Sequence, residues 1–268
     1  MQNIVVIGNC QGETVTAGLR HPAFADRITA TYHFVDLPEE AHEAGRRDLA
    51  NCDTVLVQDI GNFDDYPLRN AIPARVQTIA FPCLRLASLW PFDSQNGPGD
   101  TVARARVAEP PLFTHFDGLL ARLRTEMPDP EERYQAYRAL AVDGLVNFRR
   151  MHQFEERRLN SLDSRFDCTI GRFILENFRS TRLLSATGHP KRALYRLLLD
   201  WLLPRLGVAG DYPDDGVLEP VDADEVPVHP LVARALDVAW ANETTVYRFQ
   251  GREVLWEDYV RLYIRHFG

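Results

Sequence analysis

The first part of the chain alternates short apolar runs with polar segments of helical periodicity. The runs, rich in β-branched residues, cover residues 3–7, 27–35, 54–58 and 75–82. A nearly all-apolar run such as residues 3–7 is typical of a strand buried on both faces, whereas residues 27–35 alternate and are rich in β-branched and aromatic residues, which also predicts a strand. The alternation of strands with helices favours right-handed crossovers. The sequence therefore predicts an α/β fold in which flanking helices cover a parallel sheet.

The middle of the chain has a different character. Residues 101–160 are charged and carry apolar residues at steps of three and four, and the segment "MPDP" at 127–130 interrupts this pattern. Such spacing is typical of amphipathic helices. We therefore expect a helical insertion, or lid, within a single domain that spans residues 1–268.

The strand and helix pattern resumes after this insertion. Residues 181–187 predict a fifth short strand, and Pro190 suits the first position of a following helix. Nearer the C-terminus, residues 244–249 predict a hairpin strand and residues 252–267 a closing helix.

Composition excludes several classes of protein. The chain has 268 residues, a net charge of −8 and 45% hydrophobic residues, with no apolar run long enough for a transmembrane helix and no visible signal peptide. Its four cysteines lack zinc-like spacing, so we expect reduced thiols, no metal and a cytoplasmic protein. The acidic charge argues against nucleic-acid binding. The sequence leaves the oligomeric state open, a homo-oligomer included.

Two loops carry the residues with the most reactive side chains. Cys10 follows the first strand in "GNCQG", and His189 follows the fifth in "TGHPKR". Ligands of open parallel sheets bind outside the carboxyl ends of the strands, so we expect these side chains to meet there. A helix N-terminus and a neighbouring imidazole would both lower the pKa of the Cys10 thiol, and His189 would act as general base.

The polar residues around Cys10 suggest an oxyanion hole. The backbone N–H groups of Cys10 and Gln11 are candidate donors, joined by an amide side chain from Asn9, Gln58 or Asn62. A cysteine after a strand is more often a small buried hydrophobe. The flanking Gly8, Asn9 and Gln11 suit burial poorly, and they favour a nucleophile.

The remaining cysteines and histidines fall into two groups. We interpret Cys52, Cys83 and Cys168 as structural residues. The sequence leaves His115 and His229 open, and it assigns surface or packing roles to His21, His33, His42, His152 and His266.

Several motifs together resemble one family. "IGNCQ", "VLVQDI", "IAFPCLRLASLWP", "FTHFDGLL" and "TGHP" occur in this order, and with them the sequence resembles the WcbI family of capsular-polysaccharide biosynthesis proteins over residues 3–207. The resemblance implies a coenzyme A (CoA)-binding acetyltransferase. It also implies a distant likeness to SGNH/GDSL hydrolases, with an SGNH- or flavodoxin-like core.

The hydrolase likeness places Cys10 where those enzymes have a serine and His189 where they have a histidine. Their histidine is oriented by an aspartate three residues upstream, where this chain has Ala186. Two alternatives follow. Either a Cys/His dyad is sufficient, because a thiol ionises more readily than a hydroxyl, or Asp59 or Asp117 supplies the missing acid.

These observations lead to one principal hypothesis, an O-acetyltransferase that moves an acetyl group from acetyl-CoA to a saccharide hydroxyl. Cys10 would be the nucleophile, or would lie beside the thioester while His189 activates the sugar. The candidate CoA-binding residues are Gly8, Arg85, Lys191 and Arg192, with Arg172 and Arg179 as weaker ones. The rivals are an SGNH-type thioesterase or esterase and a non-catalytic CoA-binding scaffold.

Overall fold

The computed structural model describes residues 1–35, 39–61, 66–94, 112–141, 143–145, 147–213, 218 and 224–267. The chain divides into two compact units. The first unit comprises Met1–Leu84, Asn160–Phe173 and His189–Val221, and the second comprises Arg85–Leu159, Ile174–Gly188 and Asp222–Gly268.

The helices are, in chain order, α1 (Cys10–Leu19), α2 (Glu39–Ala50), α3 (Gly118–Glu126), α4 (Pro130–Ala139), α5 (Phe148–Phe166), α6 (Ile170–Asn177), α7 (Arg192–Leu202), α8 (Pro230–Ala235) and α9 (Trp256–Phe267). The strands are β1 (Gln2–Gly8), β2 (Ile28–Phe34), β3 (Thr54–Asp59), β4 (Gln77–Pro82), β5 (Asp93–Ser94), β6 (Phe116–Asp117), β7 (Leu184–Ala186), β8 (His189–Pro190), β9 (Val246–Phe249) and β10 (Arg252–Leu255). Within the described part of the chain, no helix combines the length and apolarity needed to cross a membrane.

The first unit is built on a four-stranded sheet in the order β2-β1-β3-β4, and its strand pairs are all parallel. β1 lies inside the sheet, where Val5 is opposite Thr31 on one side and Val55 on the other. Its residues from Ile4 to Gly8 are buried, as the continuous apolar run predicts. The predicted α/β fold with a parallel sheet is confirmed.

The fifth predicted strand does not extend this sheet. β7 has three residues and belongs to the second unit. The helix predicted to open at Pro190 begins at Arg192 instead, because Pro190 lies in β8 and Lys191 occupies the N-cap position. Both corrections concern the segment that carries His189.

The second unit has an aromatic core. Phe113, Tyr137, Tyr247, Trp256 and Tyr263 are all at most 5% exposed and pack in one cluster. β9 and β10 pair in antiparallel register, so residues 252–255 form a strand and not the first turn of the predicted closing helix. The turn between them contains Gln250 and Gly251 at φ values of 51° and 69°. Positive φ at two successive turn residues suits a tight hairpin between two strands. The chain therefore turns back as β10, and α9 begins only after it, at Trp256.

The segment predicted to be an insertion is only partly described. Residues 101–111 lie outside the described residues. Residues 112–159 belong to the second unit, together with residues 174–188 and 222–268. The single-domain organisation and the lid role of residues 101–160 therefore stay predictions.

Candidate functional site

The loop after β1 ends in the first turn of α1. Asn9 is the N-cap, and its side-chain oxygen accepts a hydrogen bond of 2.9 Å from the Gln11 backbone N–H. Asn9 itself is held by Tyr32, whose hydroxyl donates to the Asn9 carbonyl at 2.8 Å. An asparagine N-cap is among the most favourable choices for starting a helix. Cys10 is thereby fixed as the first residue of α1, at the positive end of the helix.

Gly8 is required at this position by close packing. A Cβ atom on Gly8 would lie 2.7 Å from Gln58 Oε1 and 3.1 Å from Gln58 Cβ, which leaves no room for a side chain. The missing side chain lets the end of β3 approach the β1 loop, and CoA binding by Gly8 stays a prediction.

Two buried glutamine side chains lock this loop to the ends of β3 and β4. Gln58 Oε1 accepts from the Asn9 N–H at 2.9 Å, and Gln58 Nε2 donates to Gln11 Oε1 at 3.1 Å. Gln11 in turn binds both backbone groups of Leu84: its Nε2 donates to the carbonyl at 2.8 Å, and its Oε1 accepts from the N–H at 3.0 Å. Both glutamines are 0% exposed. We call this set of hydrogen bonds the glutamine clasp.

The glutamine clasp corrects part of the predicted oxyanion hole. The amide groups of Gln58 and Gln11 are engaged with buried protein partners, and the Asn9 side chain caps α1. These side chains position the loop, and the structure does not offer them as donors to a substrate. Asn62, the third amide considered, lies outside the described residues.

Cys10 and His189 meet, as the sequence predicts. The Cys10 Sγ lies 3.7 Å from His189 Nε2, and the cysteine is exposed to solvent. Both residues belong to the first unit. A sulfur–nitrogen pair at this distance can exchange a proton with little movement.

The pKa of the Cys10 thiol is raised, opposite to the predicted direction. Burial of the sulfur by surrounding protein atoms is the largest cause, and negative charge at Cys83 adds to it. The backbone N–H groups of Gln11 and Cys10 favour the thiolate, but their effect is smaller. Part of the residue still reaches solvent, so a reagent has access to a thiol that is mostly protonated at neutral pH. Nucleophilic attack by Cys10 at neutral pH would therefore require a nearby base.

This shift predicts how alkylation of Cys10 depends on pH. We expect the rate of iodoacetamide labelling to keep rising beyond the ordinary thiol value of about 8.5, because the raised pKa lowers the thiolate fraction at every lower pH. Mass spectrometry of the tryptic peptide of residues 1–20 measures this rate. Cys52, which is 1% exposed, should be labelled far more slowly. An inflection for Cys10 below pH 8 would contradict the raised pKa.

Two side chains of the site were missed by the sequence reasoning. The hydroxyl of Tyr195, on the buried face of α7, is hydrogen-bonded to Thr14, and negative charge at Cys10 and Cys83 raises the pKa of Tyr195, although burial is the larger cause. Cys83 was interpreted as structural. Its position directly after β4, at the same sheet edge as Cys10, was the signal that could have identified it.

The two alternative acids for orienting His189 are engaged elsewhere. The Asp59 carboxylate pairs with Arg165 in the first unit. Asp117 caps α3 by accepting from the Leu120 N–H at 2.8 Å, and it also accepts from the Tyr137 hydroxyl at 2.5 Å. These partners account for both carboxylates without His189.

The predicted cationic residues fall on different parts of the fold. Lys191 and Arg192 begin α7, directly after the strand that carries His189, and both are half-buried. Arg85 is exposed and belongs to the second unit. Of the weaker candidates, Arg172 is exposed at the start of α6, whereas Arg179 donates to the Leu236 carbonyl and packs over the Phe178 ring. Phosphate binding by these residues stays a prediction.

The second unit contains a cavity of about 50 Å³ whose walls are mostly apolar and include several aromatic side chains. Asp117 contributes to its lining, and burial raises the pKa of this carboxyl to about 6. His229 also lines it, accepts from the Leu231 N–H as the cap of α8, and has its pKa lowered to about 4 by burial. His115 lies 3.9 Å from Asp93 in the same wall. Among the residues that the structure describes, no group of three or more His, Cys, Asp or Glu side chains is arranged to hold a metal.

Comparison with known protein families shows which family this chain belongs to. The family described as polysaccharide biosynthesis enzyme WcbI matches residues 3–211. The chain belongs to the WcbI family. This match spans most of the chain and includes both the Cys10 and the His189 loops.

A solved WcbI structure has the same fold. It aligns with a TM-score of 0.68 at 21% identity, over 99% of this chain and 89% of the other. That protein is described as a novel polysaccharide biosynthesis enzyme, in its native form without a disulfide bond between CoA and one of its cysteines. Curated proteins gave no match. The likeness to SGNH hydrolases stays a prediction.

Proposed function

We propose that this WcbI-family protein is an O-acetyltransferase that takes the acetyl group of acetyl-CoA and transfers it to a saccharide hydroxyl during polysaccharide biosynthesis. The observation that carries the proposal is the 3.7 Å contact between Cys10 Sγ and His189 Nε2 at the start of α1. A thiol nucleophile, a base and a helix N-terminus are groups that together support acyl transfer from a thioester.

In the covalent route, His189 accepts the Cys10 proton and the thiolate attacks the thioester carbonyl. The bond to the CoA sulfur breaks, CoA leaves as a thiol with the proton held by His189, and Cys10 carries the acetyl group. A sugar hydroxyl then attacks this new thioester while His189 accepts its proton. The bond between the acetyl carbon and Cys10 Sγ breaks, the sugar ester leaves, and His189 returns the proton to the Cys10 thiolate. The first exchange is between two thioesters, so little energy is lost before the irreversible transfer to oxygen.

The helix N-terminus supports both halves of this route. The N–H groups of Cys10 and Gln11 favour negative charge on the Cys10 sulfur, and the α1 dipole stabilises an anion nearby. The Gln11 N–H already donates to Asn9 Oδ1, so the Cys10 N–H is our candidate donor to a developing oxyanion. The amide side chains of the glutamine clasp hold the backbone in place. In the direct route, His189 deprotonates the sugar hydroxyl, which attacks acetyl-CoA without a Cys10 intermediate.

CoA binding has separate support. The WcbI relative is described as the native protein without a disulfide bond between CoA and one of its cysteines, and we take this pairing of CoA with a cysteine as support for CoA binding beside a protein thiol. In this chain the exposed Cys10 offers such a thiol, and Lys191 and Arg192 supply positive charge directly beyond His189. Calorimetry with CoA and acetyl-CoA, followed by intact-mass analysis for acetylated Cys10, tests the proposal.

The double variant Lys191→Ala/Arg192→Ala is expected to weaken CoA binding by about tenfold, because each cation contributes about 1 kcal/mol or less to an exposed phosphate contact. The loss should shrink in high salt. Arg27→Ala is the matched control, since this exposed arginine lies next to the amino end of β2, at the opposite edge of the sheet. Equal CoA affinities for the double variant and the control would show that Lys191 and Arg192 do not bind CoA.

A further inference from the structure

A second thiol lies beside Cys10. Cys83 follows the last residue of β4 and precedes Leu84, whose backbone is bound twice by the Gln11 side chain, at 2.8 Å and 3.0 Å. Cys10 precedes Gln11 in the chain. The glutamine clasp therefore holds the backbone next to one cysteine against the residue next to the other.

Electrostatic coupling agrees with this placement. Negative charge at Cys83 is the second-largest cause of the raised Cys10 pKa, after burial. The charges of Cys10 and Cys83 both act on the Tyr195 hydroxyl as well. Coulomb interactions weaken with distance, so the two sulfurs and the tyrosine lie in one neighbourhood of the first unit.

The two thiols differ from the others in accessibility. Cys10 is exposed and Cys83 is half-buried, and both are reduced in the structure. Cys52 is buried, with its sulfur donating to the Leu49 carbonyl at 3.2 Å. Cys168, also half-buried, donates to Asp163 at 3.2 Å. A small reagent that reaches Cys10 therefore finds Cys83 as the neighbouring second thiol.

We propose that Cys83 is a resolving thiol for Cys10 and that the two close a reversible disulfide after a small disulfide has reacted with Cys10. This inference goes beyond the proposed function, because it concerns the oxidation state of the site and requires no acetyl transfer. The co-reactant is a low-molecular-weight disulfide such as glutathione disulfide or CoA disulfide.

The exchange takes two steps. The Cys10 thiolate attacks one sulfur of the small disulfide, a mixed disulfide forms, and one small thiol leaves with the proton that Cys10 gave up. The Cys83 thiolate then attacks the Cys10 sulfur, the Cys10–Cys83 bond forms, and the second small thiol leaves. Two protein thiols are oxidised and one small disulfide is reduced to two thiols.

This disulfide would remove Cys10 from thioester chemistry and would also protect it. A cysteine held in a disulfide does not proceed to sulfinic or sulfonic acid, which cells do not generally reverse. Closure requires the two Cα atoms to come within about 4.4–6.8 Å. Formation of the cross-link therefore tests directly whether the two cysteines come this close.

The experiment treats the full chain with glutathione disulfide, blocks remaining thiols with N-ethylmaleimide and digests it with trypsin. We expect a cross-link between the peptides of residues 1–20 and 76–85, which contain Cys10 and Cys83, and dithiothreitol should reverse it. Cys83→Ser should accumulate the Cys10–glutathione mixed disulfide, with a lifetime about tenfold longer or more. Cys83→Ala should behave in the same way, which guards against a serine-specific folding defect.

Cys168→Ser is the matched control, because Cys168 is also half-buried, and its cross-link yield should equal that of the wild type. A wild-type protein that stops at the mixed disulfide, with Cys83 still reacting with N-ethylmaleimide, would overturn the inference. Calorimetry with CoA on the reduced protein separates the two proposals. A cross-link without CoA binding removes only the proposed function, and CoA binding without a cross-link removes only the resolving role.

Discussion

Cys10→Ser is expected to lower acetyl transfer by about a hundredfold or more while CoA affinity stays within about twofold of wild type. A serine hydroxyl is a much weaker nucleophile than a thiol, and His189 has no aspartate at the usual upstream position, where Ala186 stands. Steady-state kinetics with acetyl-CoA and calorimetry with CoA measure the two quantities separately.

His189→Ala is expected to be similarly damaging, because general-base catalysis is worth about 10²–10⁴-fold. The double variant should be scarcely slower than either single variant, since groups that act as a unit are not additive. Cys168→Ser serves as the matched control and should retain wild-type kinetics. It changes a half-buried thiol that donates to Asp163, away from the His189 contact.

Two other outcomes would change the mechanism. If Cys10→Ala keeps near wild-type acetyl transfer while His189→Ala abolishes it, the covalent route is wrong and His189 acts directly on the sugar hydroxyl. If the wild type transfers no acetyl group to a saccharide but hydrolyses acetyl-CoA, and both variants lose that hydrolysis, the protein is a thioesterase. A wild type that binds CoA but shows neither acetyl transfer nor hydrolysis would favour the non-catalytic scaffold.

The sheet could be predicted from sequence because its strands are local features. Each of the four apolar runs fell on an observed strand of the parallel sheet. β1 is an example: its residues from Ile4 onward are all buried, so the strand appears in the sequence as an unbroken apolar run. The prediction for the hairpin was right for β9 and wrong for β10. Val254 and Leu255 continue the helical periodicity of α9, but the tight turn at Gly251 pairs these residues with β9 as a strand.

The Cys10 and His189 pair was predicted partly for a wrong reason. The sequence predicts His189 after a fifth strand of the same sheet, whereas β7 belongs to the second unit. The contact forms because α7, which follows β8 closely, packs on α1: a Cβ atom on Gly18 would lie 2.6 Å from Leu199 Cδ1. The direction of the Cys10 pKa was missed because a sequence shows the helix N-terminus but not how tightly protein atoms surround the sulfur.

The roles of the glutamines could not be read from sequence at all. Gln11 and Leu84 are 73 positions apart, and nothing local marks them as partners. An amide beside a reactive cysteine looks the same in sequence whether it faces a substrate or a buried backbone. The distinction follows from burial, since Gln11 and Gln58 are 0% exposed and each amide already has protein partners.

Gln11→Ala is expected to lower the free energy of unfolding by about 3 kcal/mol or more. The substitution leaves three buried polar groups without their partner: the N–H and the carbonyl of Leu84 and the Nε2 of Gln58. Each buried group left unsatisfied costs about 1–3 kcal/mol. Urea denaturation followed by circular dichroism measures the change, and the slope with urea should stay constant if the native state keeps its compactness.

Gln77→Ala is the matched control for this experiment. Gln77 is the same residue type at the start of β4, but it is exposed, so its loss should change the free energy of unfolding by no more than about 0.5 kcal/mol. Gln11→Ala should also change the rate of Cys10 alkylation in the folded protein, because the glutamine clasp fixes the first turn of α1 on which Cys10 stands. Gln77→Ala should leave that rate unchanged. A Gln11→Ala protein as stable as the control would show that water replaces the clasp, and an unchanged alkylation rate would show that Asn9 alone positions the thiol.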